Sequence, residues 1–181
     1  MAQRDVDRRV RRSRAELHQA LVALILEKGW DRVTVQAVCD RAGVGRSTFY
    51  VHFADKEDLL VGGLEHVRDE LRRRTRALDR PPPFAFLAGL IAHADGSRKL
   101  FRAVIGKRSG LAVQRRFREI VGELMTEELH TRGVASELIA STSRFLTGAL
   151  VEMLFAWVEG HDTSSAREVE RQFVRLASRV L

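Results

Sequence analysis

Apolar residues at helical spacing along the whole chain are the feature that most limits the fold. They recur three and four positions apart nearly everywhere, whereas no segment of useful length shows the alternation of a half-buried strand. The chain has 3 prolines, all at positions 81–83, and proline interrupts helices. The pattern therefore predicts an all-α protein with one strong break.

The first predicted helix follows a basic N-terminal segment. Ser13 and Glu16 have the spacing of a capping box, so we expect a helix from Ser13 to about Gly29 and a flexible arm over 1–12. The arginines of this region outnumber its acids and suit a polyanion such as DNA or an anionic membrane surface. Arginine is frequent throughout the chain, so the bias also fits the general composition. The arginines of this N-terminal region are Arg4, Arg8, Arg9, Arg11, Arg12 and Arg14.

Two short helices and one longer helix are predicted next. Thr34 is a suitable N-cap for the second helix, and Gly43 is placed to end it. A third short helix is expected to start near Gly45, and Asp55 can cap a longer helix that runs to about Leu78. The helices expected after the prolines cover 84–94, 98–132 with a break at Gly106–Gly110, 135–159 and 165–180.

The composition argues against several classes of protein. The N-terminus lacks the apolar stretch of a secretory signal, and no run of about 18 uncharged apolar residues occurs, so we expect a cytoplasmic protein without a membrane partner. Cys39 is the single cysteine, which excludes an intrachain disulfide and a zinc site made of cysteines. The 6 histidines form no metal-binding motif, and no nucleophile motif such as G-x-S-x-G occurs. We expect neither an enzyme nor a bound metal or cofactor.

The segment Gly43–Leu60 carries the strongest local signal. Its two close glycines suggest a phosphate-binding loop, but a Walker loop needs a lysine after its last glycine and a dinucleotide loop needs a third glycine after a strand. On a short helix, Phe49 and Phe53 share one face and can anchor it, which leaves Ser47 and Val51 facing outward. Such a helix suits the major groove of DNA. The segment therefore predicts a helix-turn-helix, with a plain helical hairpin as the alternative.

Residues around this segment resemble the N-terminal domain of the tetracycline-repressor (TetR) family. The resemblance covers about 13–62 and implies a homodimeric transcription regulator, usually a repressor, with a helical C-terminal domain that dimerises and often binds a small ligand. Gly45 departs from the family, in which serine often caps the recognition helix, but glycine is an acceptable N-cap. The residues that carry the resemblance are Lys28–Trp30, Thr34–Val35, Val38–Val44, Ser47–Phe53 and Lys56–Leu60.

The resemblance also implies which residues contact double-stranded DNA. Base contacts are implied for Arg46, Ser47 and Val51, with Gln36 near the groove. Phosphate contacts are implied for Thr34, Thr48, Tyr50, His52 and Lys56. The chemistry agrees, since an arginine can pair with guanine, and hydroxyls and lysine suit phosphate oxygens. A symmetric dimer would place two such helices on a palindromic operator.

The region after the third helix supplies candidates for a ligand pocket and a dimer contact. Helix 135–159 is apolar on more than one face and the last helix carries an apolar stripe, so a homodimer is expected through about 135–181. Every pocket candidate can equally be a core residue. The pocket candidates are Phe101, Ile105, Phe117, Met125, Phe145 and Phe155, with Val104, His93 and His130 beside them.

The sequence thus predicts a flexible arm over 1–12, a helix-turn-helix domain over 13–60 and a helical ligand-binding and dimerisation domain over 61–181. The predicted function is a dimeric, sequence-specific transcriptional regulator, most simply a repressor that a small molecule releases from its operator. One alternative is the same fold acting without an effector or as an activator. Another, from a different class, is a helical protein-interaction module.

Overall fold

The computed structural model describes the backbone of residues 2–104 and 108–181 and the side chains of 10–104 and 111–181. Regular structure within those ranges is entirely helical, without a strand, so the predicted all-α class is confirmed. A short 3-10 turn, Trp30–Arg32, lies between the first two α-helices. In chain order the α-helices are α1 Ala2–Lys28, α2 Val35–Ala42, α3 Arg46–His52, α4 Lys56–Arg76, α5 Phe86–Gly96, α6 Arg98–Val104, α7 Arg108–Thr131, α8 Ser136–Glu159 and α9 Ala166–Ala177.

Polar caps mark the starts of the helices that the sequence identified. Thr34 caps α2, because its Oγ1 accepts a hydrogen bond from the amide of Ala37 at 3.1 Å. At the start of α4, Oδ1 of Asp55 accepts from the amides of Glu57 and Asp58, both at 2.8 Å. These side chains satisfy amides that have no partner within the helix.

The start of α1 was predicted wrongly. The helix begins at Ala2 and passes through Ser13 without interruption, so the expected flexible arm over 1–12 is helical from residue 2 onward. Arginine is a good helix former, and Nε of Arg12 donates to Oε1 of Glu16 at 2.8 Å, one turn further along. Ser13 and Glu16 have the spacing of a capping box but lie inside the helix, because the residues before them continue it.

The chain divides into two compact units. The first unit comprises Met1–Gly63 with Ala103–Val113, and the second unit comprises Leu64–Arg102 with Gln114–Leu181. Because α4 runs from Lys56 to Arg76, it begins in the first unit and ends in the second.

The first unit is built around the contact between α1 and α2. Apolar residues three and four apart form one face of α1 and pack under α2, α3 and the start of α4. The buried residues of this core include Leu17, Leu21, Leu24, Ile25, Val38, Cys39, Phe49, Phe53, Leu59 and Leu60.

The second unit has its core among α5, α7, α8 and α9. Its helices agree with the predicted ranges to within a few residues. The predicted break at Gly106–Gly110 falls partly on 105–107, which lie outside the described residues. Buried members of this core include Leu87, Leu90, Ile91, Val121, Met125, Leu150, Leu154, Trp157, Val169 and Phe173.

Phe84 holds the connection after the prolines in an unusual conformation. Its φ of 57° lies in the left-handed region that bulky side chains rarely adopt. The amide of Phe84 donates to Oε1 of Glu128 at 2.8 Å, and its buried ring meets the ring of Phe173 with centroids 5.7 Å apart. Burial and the carboxylate bond together hold this conformation.

Among the described helices, α8 alone has the length and apolarity to cross a membrane, with a mean hydropathy of 1.3 over its most apolar window. Core helices of water-soluble proteins meet the same criterion. In this chain Leu146, Leu150, Leu154 and Trp157 of α8 are buried in the core of the second unit. This burial is what a helix that is apolar on several faces requires.

Candidate nucleic-acid interface

A tight glycine turn joins α2 to α3. Gly43 has a φ of 64°, in the left-handed region that favours glycine, and its amide donates to the carbonyl of Asp40 at the end of α2. Gly45 is extended and is the N-cap of α3, with its carbonyl accepting from the amide of Phe49 at 3.0 Å. Two short helices joined in this way form a helix-turn-helix.

Two aromatic residues fix which face of α3 points outward. Phe49 and Phe53 are 0% and 5% exposed, and their ring centroids lie 5.8 Å apart. Between them in sequence, Tyr50 is 52% exposed and Val51 is 77% exposed. A large exposed valine on a well-anchored helix has no packing role in the described structure, which leaves it available to contact a partner.

The residues predicted to contact DNA fall into an exposed group and a half-buried group. Seven of them are exposed on α2, on its cap or on α3, whereas His52 and Lys56 are half-buried. The ring of His52 lies edge-on to Phe53, with centroids 6.3 Å apart. The exposed group comprises Thr34, Gln36, Arg46, Ser47, Thr48, Tyr50 and Val51.

Several exposed residues already have intramolecular contacts that orient them. Oγ1 of Thr34 accepts the capping bond, which leaves its hydroxyl proton free to donate to another acceptor. Nε2 of Gln36 donates to Oδ1 of Asp40 at 2.6 Å. The guanidinium of Arg46 lies 5.9 Å from the centre of the Tyr50 ring. These contacts restrict the side chains without using all of their donors.

Lys56 lies in a different environment. Its Nζ donates to the carbonyl oxygens of Trp30 at 2.9 Å and Val33 at 2.7 Å, and it lies 4.4 Å from the centre of the Trp30 ring. Burial lowers the pKa of this ammonium, with Asp31 and Asp55 acting in the opposite direction. The structure therefore places Lys56 in contact with the backbone before α2.

Residues 17–61 match the family model described as bacterial regulatory proteins, tetR family. The N-terminal helix-turn-helix of this chain is therefore similar to that of this family. TcmR of Streptomyces glaucescens, an HTH-type transcriptional regulator, is 30% identical over 106 residues, which make up 55% of this chain and 40% of TcmR. The matched stretch thus covers less than half of that relative.

Solved structures share the fold over nearly the whole chain. The dihydroxyacetone kinase operon activator DhaS superposes with a TM-score of 0.74 at 16% identity, covering 92% of this chain and 94% of DhaS. The tetR-family repressor FadR of Thermus thermophilus was solved with lauroyl-CoA. It superposes with a TM-score of 0.58 at 21% identity, covering 91% of this chain and 92% of FadR. At these identities the likeness establishes the fold.

Two features of the first unit were missed by sequence reasoning. Nη1 of Arg41 on α2 donates to both carboxylate oxygens of Glu27 on α1, at 3.0 and 2.8 Å. In α4, a Cβ added to Gly63 would lie only 2.0 Å from Nε2 of His18 on α1. Two adjacent glycines, Gly62 and Gly63, inside a predicted helix are the signal that indicates such a close approach.

The predicted pocket residues lie in three different environments. The rings of Phe101 and Phe155 have centroids 5.0 Å apart, and Phe117 stacks on Phe155 at 6.0 Å. Met125 is fully buried in the core. Phe145 is 61% exposed, so its side chain does not face the core of the second unit. Ile105 lies outside the described residues.

The three residues named beside the pocket candidates also differ in their exposure to solvent. Val104 is buried, His93 is half-buried and His130 is exposed. Burial lowers the pKa of His93, which favours the neutral imidazole. Among the side chains that the structure describes, no three His, Cys, Asp or Glu residues are grouped as metal ligands.

A network of charges joins α4 to α7 inside the second unit. Nη2 of Arg72 on α4 donates to Oε2 of Glu123 at 3.0 Å, and Nη1 of Arg116 donates to Oε1 of the same carboxylate at 3.1 Å. Arg116 also pairs with Glu65 on α4. This hydrogen bond lowers the pKa of the Glu65 carboxyl. Arg116 thus links α7 to α4.

Proposed function

We propose that this protein is a sequence-specific transcriptional regulator that binds a palindromic operator as a homodimer, most simply as a repressor in the cytoplasm. The observation that carries the proposal is the outward face of α3. Phe49 and Phe53 anchor the helix, and Arg46, Ser47 and Val51 are exposed on it. The major groove admits one helix and displays the donors, acceptors and methyl groups that these side chains can contact.

The contacts with DNA divide into base readout and backbone positioning. Arg46 would donate two guanidinium N–H groups to O6 and N7 of a guanine, and Val51 would contact a thymine methyl group. The hydroxyls of Thr34, Thr48 and Tyr50 would donate to phosphate oxygens on either side of the groove. The positive N-terminal turns of α1 add attraction that does not depend on sequence.

The homodimer would form through the exposed apolar side chains of α8 and α9. Leu138 and Phe145 lie seven residues apart on one face of α8, and both are more than half exposed, as is Leu176 on α9. A symmetric interface pairs each such face with its own copy. A groove of about 400 Å³ between α7 and α8, lined in part by Gly122 and Gly148, would receive an aromatic side chain from that copy.

The ligand proposal rests on the cluster formed by Phe101, Phe117 and Phe155. Phe101 and Phe155 are half-buried, so part of their aromatic surface is not used by the core. The FadR structure in complex with lauroyl-CoA makes a small molecule with an apolar part the first class to test. Because DhaS is an operon activator, activation rather than repression is the second candidate for the outcome of DNA binding.

Selection from fragments of genomic DNA tests the proposed function. The full-length protein is incubated with the pool at several salt concentrations, and the bound fragments are sequenced. The proposal predicts enrichment of sites with two-fold symmetry, and an affinity that falls steeply as salt rises. Retention of fragments without any sequence preference would overturn it, and binding to liposomes instead of DNA would support a surface-interaction module.

A further inference from the structure

A glycine lies in the middle of α8, where helix propensity gives no reason for it. Glycine is the poorest helix former after proline, and its use inside a helix allows another group to approach the backbone closely. A Cβ added to Gly148 would meet no atom within 4 Å, so no other described element makes that approach. Gly148 lines the groove between α7 and α8. The glycine therefore favours a contact with a second molecule at this groove.

A hydroxyl in the same groove also lacks a partner. Thr147 is 6% exposed and lines the groove, and its Oγ1 is buried without a hydrogen-bond partner among the described residues. A buried hydroxyl that makes no hydrogen bond is unfavourable, and native structures rarely leave one. A molecule that covers the groove can supply the missing partner. The hydroxyl and the glycine thus point to the same surface.

The charges on either side of Gly148 indicate which molecule covers this surface. Residues four apart form a ridge along a helix, and one ridge of α8 contains Ala140, Arg144, Gly148 and Glu152. Arg144 and Glu152 are exposed, and neither has an ion-pair partner among the described residues. Nε of Arg144 donates to the carbonyl of Ala140 at 3.2 Å, which uses one of its five N–H donors. A positive and a negative charge therefore flank the glycine at equal distances along the helix.

Opposite charges at equal distances from a central residue fit a second copy of the same helix. In a two-fold symmetric contact between antiparallel helices that cross at Gly148, Arg144 of each copy lies opposite Glu152 of the other. The ion pair then forms twice in one interface. A parallel contact would instead place each arginine beside the same arginine of the other copy, and each glutamate beside the same glutamate, which is unfavourable.

We propose that two copies of α8 cross antiparallel at Gly148, and that the pairs of Arg144 with Glu152 select which chains associate. The crossing rests on the homodimer of the proposed function and specifies its central contact. The two backbones can approach closely at Gly148 because no side chain separates them there. A chain with both charges on this ridge pairs with its own copy, whereas a ridge with one sign of charge repels its own copy.

The first experiment exchanges the charges and needs no DNA. Arg144→Glu makes the charges of the ridge wholly acidic, Glu152→Arg makes them wholly basic, and Arg80→Glu is the control at an exposed position outside α8. Sedimentation of each ridge variant alone should show the dissociation constant of the dimer raised at least about tenfold, with no change in the control. An equimolar mixture of the two ridge variants should form heterodimers within about threefold of the original dissociation constant, because every ion pair is restored. Dimers of original stability in either variant alone, or a mixture that stays monomeric, would overturn the proposal.

The second experiment tests the antiparallel direction. Cys39→Ala removes the single native cysteine, and in this background Arg144→Cys and Glu152→Cys are mixed, one of them carrying a mass tag, and treated with a short thiol cross-linker. We expect cross-links mainly between the two different variants. Arg144→Cys linked chiefly to itself would show a parallel contact and would contradict the proposal.

The outcomes separate this crossing from the proposed function. A protein that remains dimeric but forms neither cross-link nor charge-selected heterodimer would overturn the crossing and leave the homodimer intact. A chain that is monomeric in every sample would overturn the crossing and the homodimer together. A dimer with the expected cross-link that binds no DNA would support the crossing and sink the proposed function alone.

Discussion

The helix-turn-helix and the long helix α8 show two different ways in which a sequence determines what a helix presents to solvent. On α3, Phe49 and Phe53 are the buried anchors, and the residues between and before them are exposed. On α8, buried residues occur on several faces, and the same helix also exposes Leu138 and Phe145. The orientation of α3 follows from local spacing, whereas that of α8 depends on which neighbours cover it.

The largest effect is expected from removing an anchor of α3. Phe49→Ala deletes a fully buried ring, a change that costs about 3–5 kcal/mol in a protein core. We expect the first unit to unfold at lower temperature and DNA binding to be lost, as measured by calorimetry and by a binding titration. Val51→Ala on the same helix is the matched control and should change stability by no more than about 0.5 kcal/mol. Equal destabilisation by both variants would contradict the assignment of inner and outer faces.

A charged substitution on the exposed face of α8 tests whether this face forms the dimer interface. Phe145→Arg should convert a dimer into monomers in sedimentation velocity, because a buried unpaired charge is costly at the centre of an interface. Operator affinity should fall about a hundredfold, since two half-sites would no longer be bound together. Leu78→Arg, an exposed leucine outside α8 and α9, is expected to leave the dimer intact. Dimers of unchanged stability in Phe145→Arg would place the interface elsewhere.

The close approach of α1 and α4 predicts an effect of intermediate size. A Cβ at Gly63 would overlap the ring of His18, so Gly63→Ala should lower the free energy of unfolding by about 1–2 kcal/mol despite the better helix propensity of alanine. A Cβ at Gly96 meets no atom within 4 Å. Gly96→Ala should therefore be neutral or slightly stabilising in the same thermal unfolding assay, and stabilisation by both changes would contradict the packing.

The smallest effect concerns the charge network of the second unit. The pKa of Glu65 is lowered by its hydrogen bond to Arg116, so its stabilising contribution is present above the ordinary carboxyl pKa and is lost as pH falls through the lowered value. Because the side chain is about a third exposed, the contribution should not exceed about 1 kcal/mol. Unfolding curves of Glu65→Gln should differ from those of the original protein at neutral pH and converge below about pH 4. A difference that persists at low pH would contradict this assignment.

The parts of the fold that the sequence predicted are those set by neighbouring residues. Thr34 and Asp55 cap helices, Gly43 ends one in the left-handed region, and the Phe49 and Phe53 spacing defines a face. Each depends on a few positions along the chain. Capping residues, turn glycines and anchor pairs could therefore be recognised without knowledge of the tertiary contacts.

The features that could not be predicted involve residues whose chemistry fits more than one environment. Ser13 has the chemistry of a cap, but the preceding residues continue the helix through it. Lys56 has the chemistry of a phosphate contact, and its Nζ also donates to carbonyls 23 and 26 residues earlier, which its residue type does not indicate. Phe145 has the chemistry of a pocket residue, but it is exposed to solvent. In each case the residue type fits several roles, and residues outside the local motif decide which contacts the side chain makes.

The central claim is that the outward face of α3 reads DNA bases, and a base-preference profile of Arg46→Ala tests it most directly. The original protein and the variant are each selected against randomised duplexes, and the preference at every position is compared. The account predicts a palindromic site for the original protein, and loss of a guanine preference at one symmetric pair of positions in the variant, equivalent to about 1–3 kcal/mol per contact. An unchanged profile in Arg46→Ala, or no preference in either protein, would contradict it.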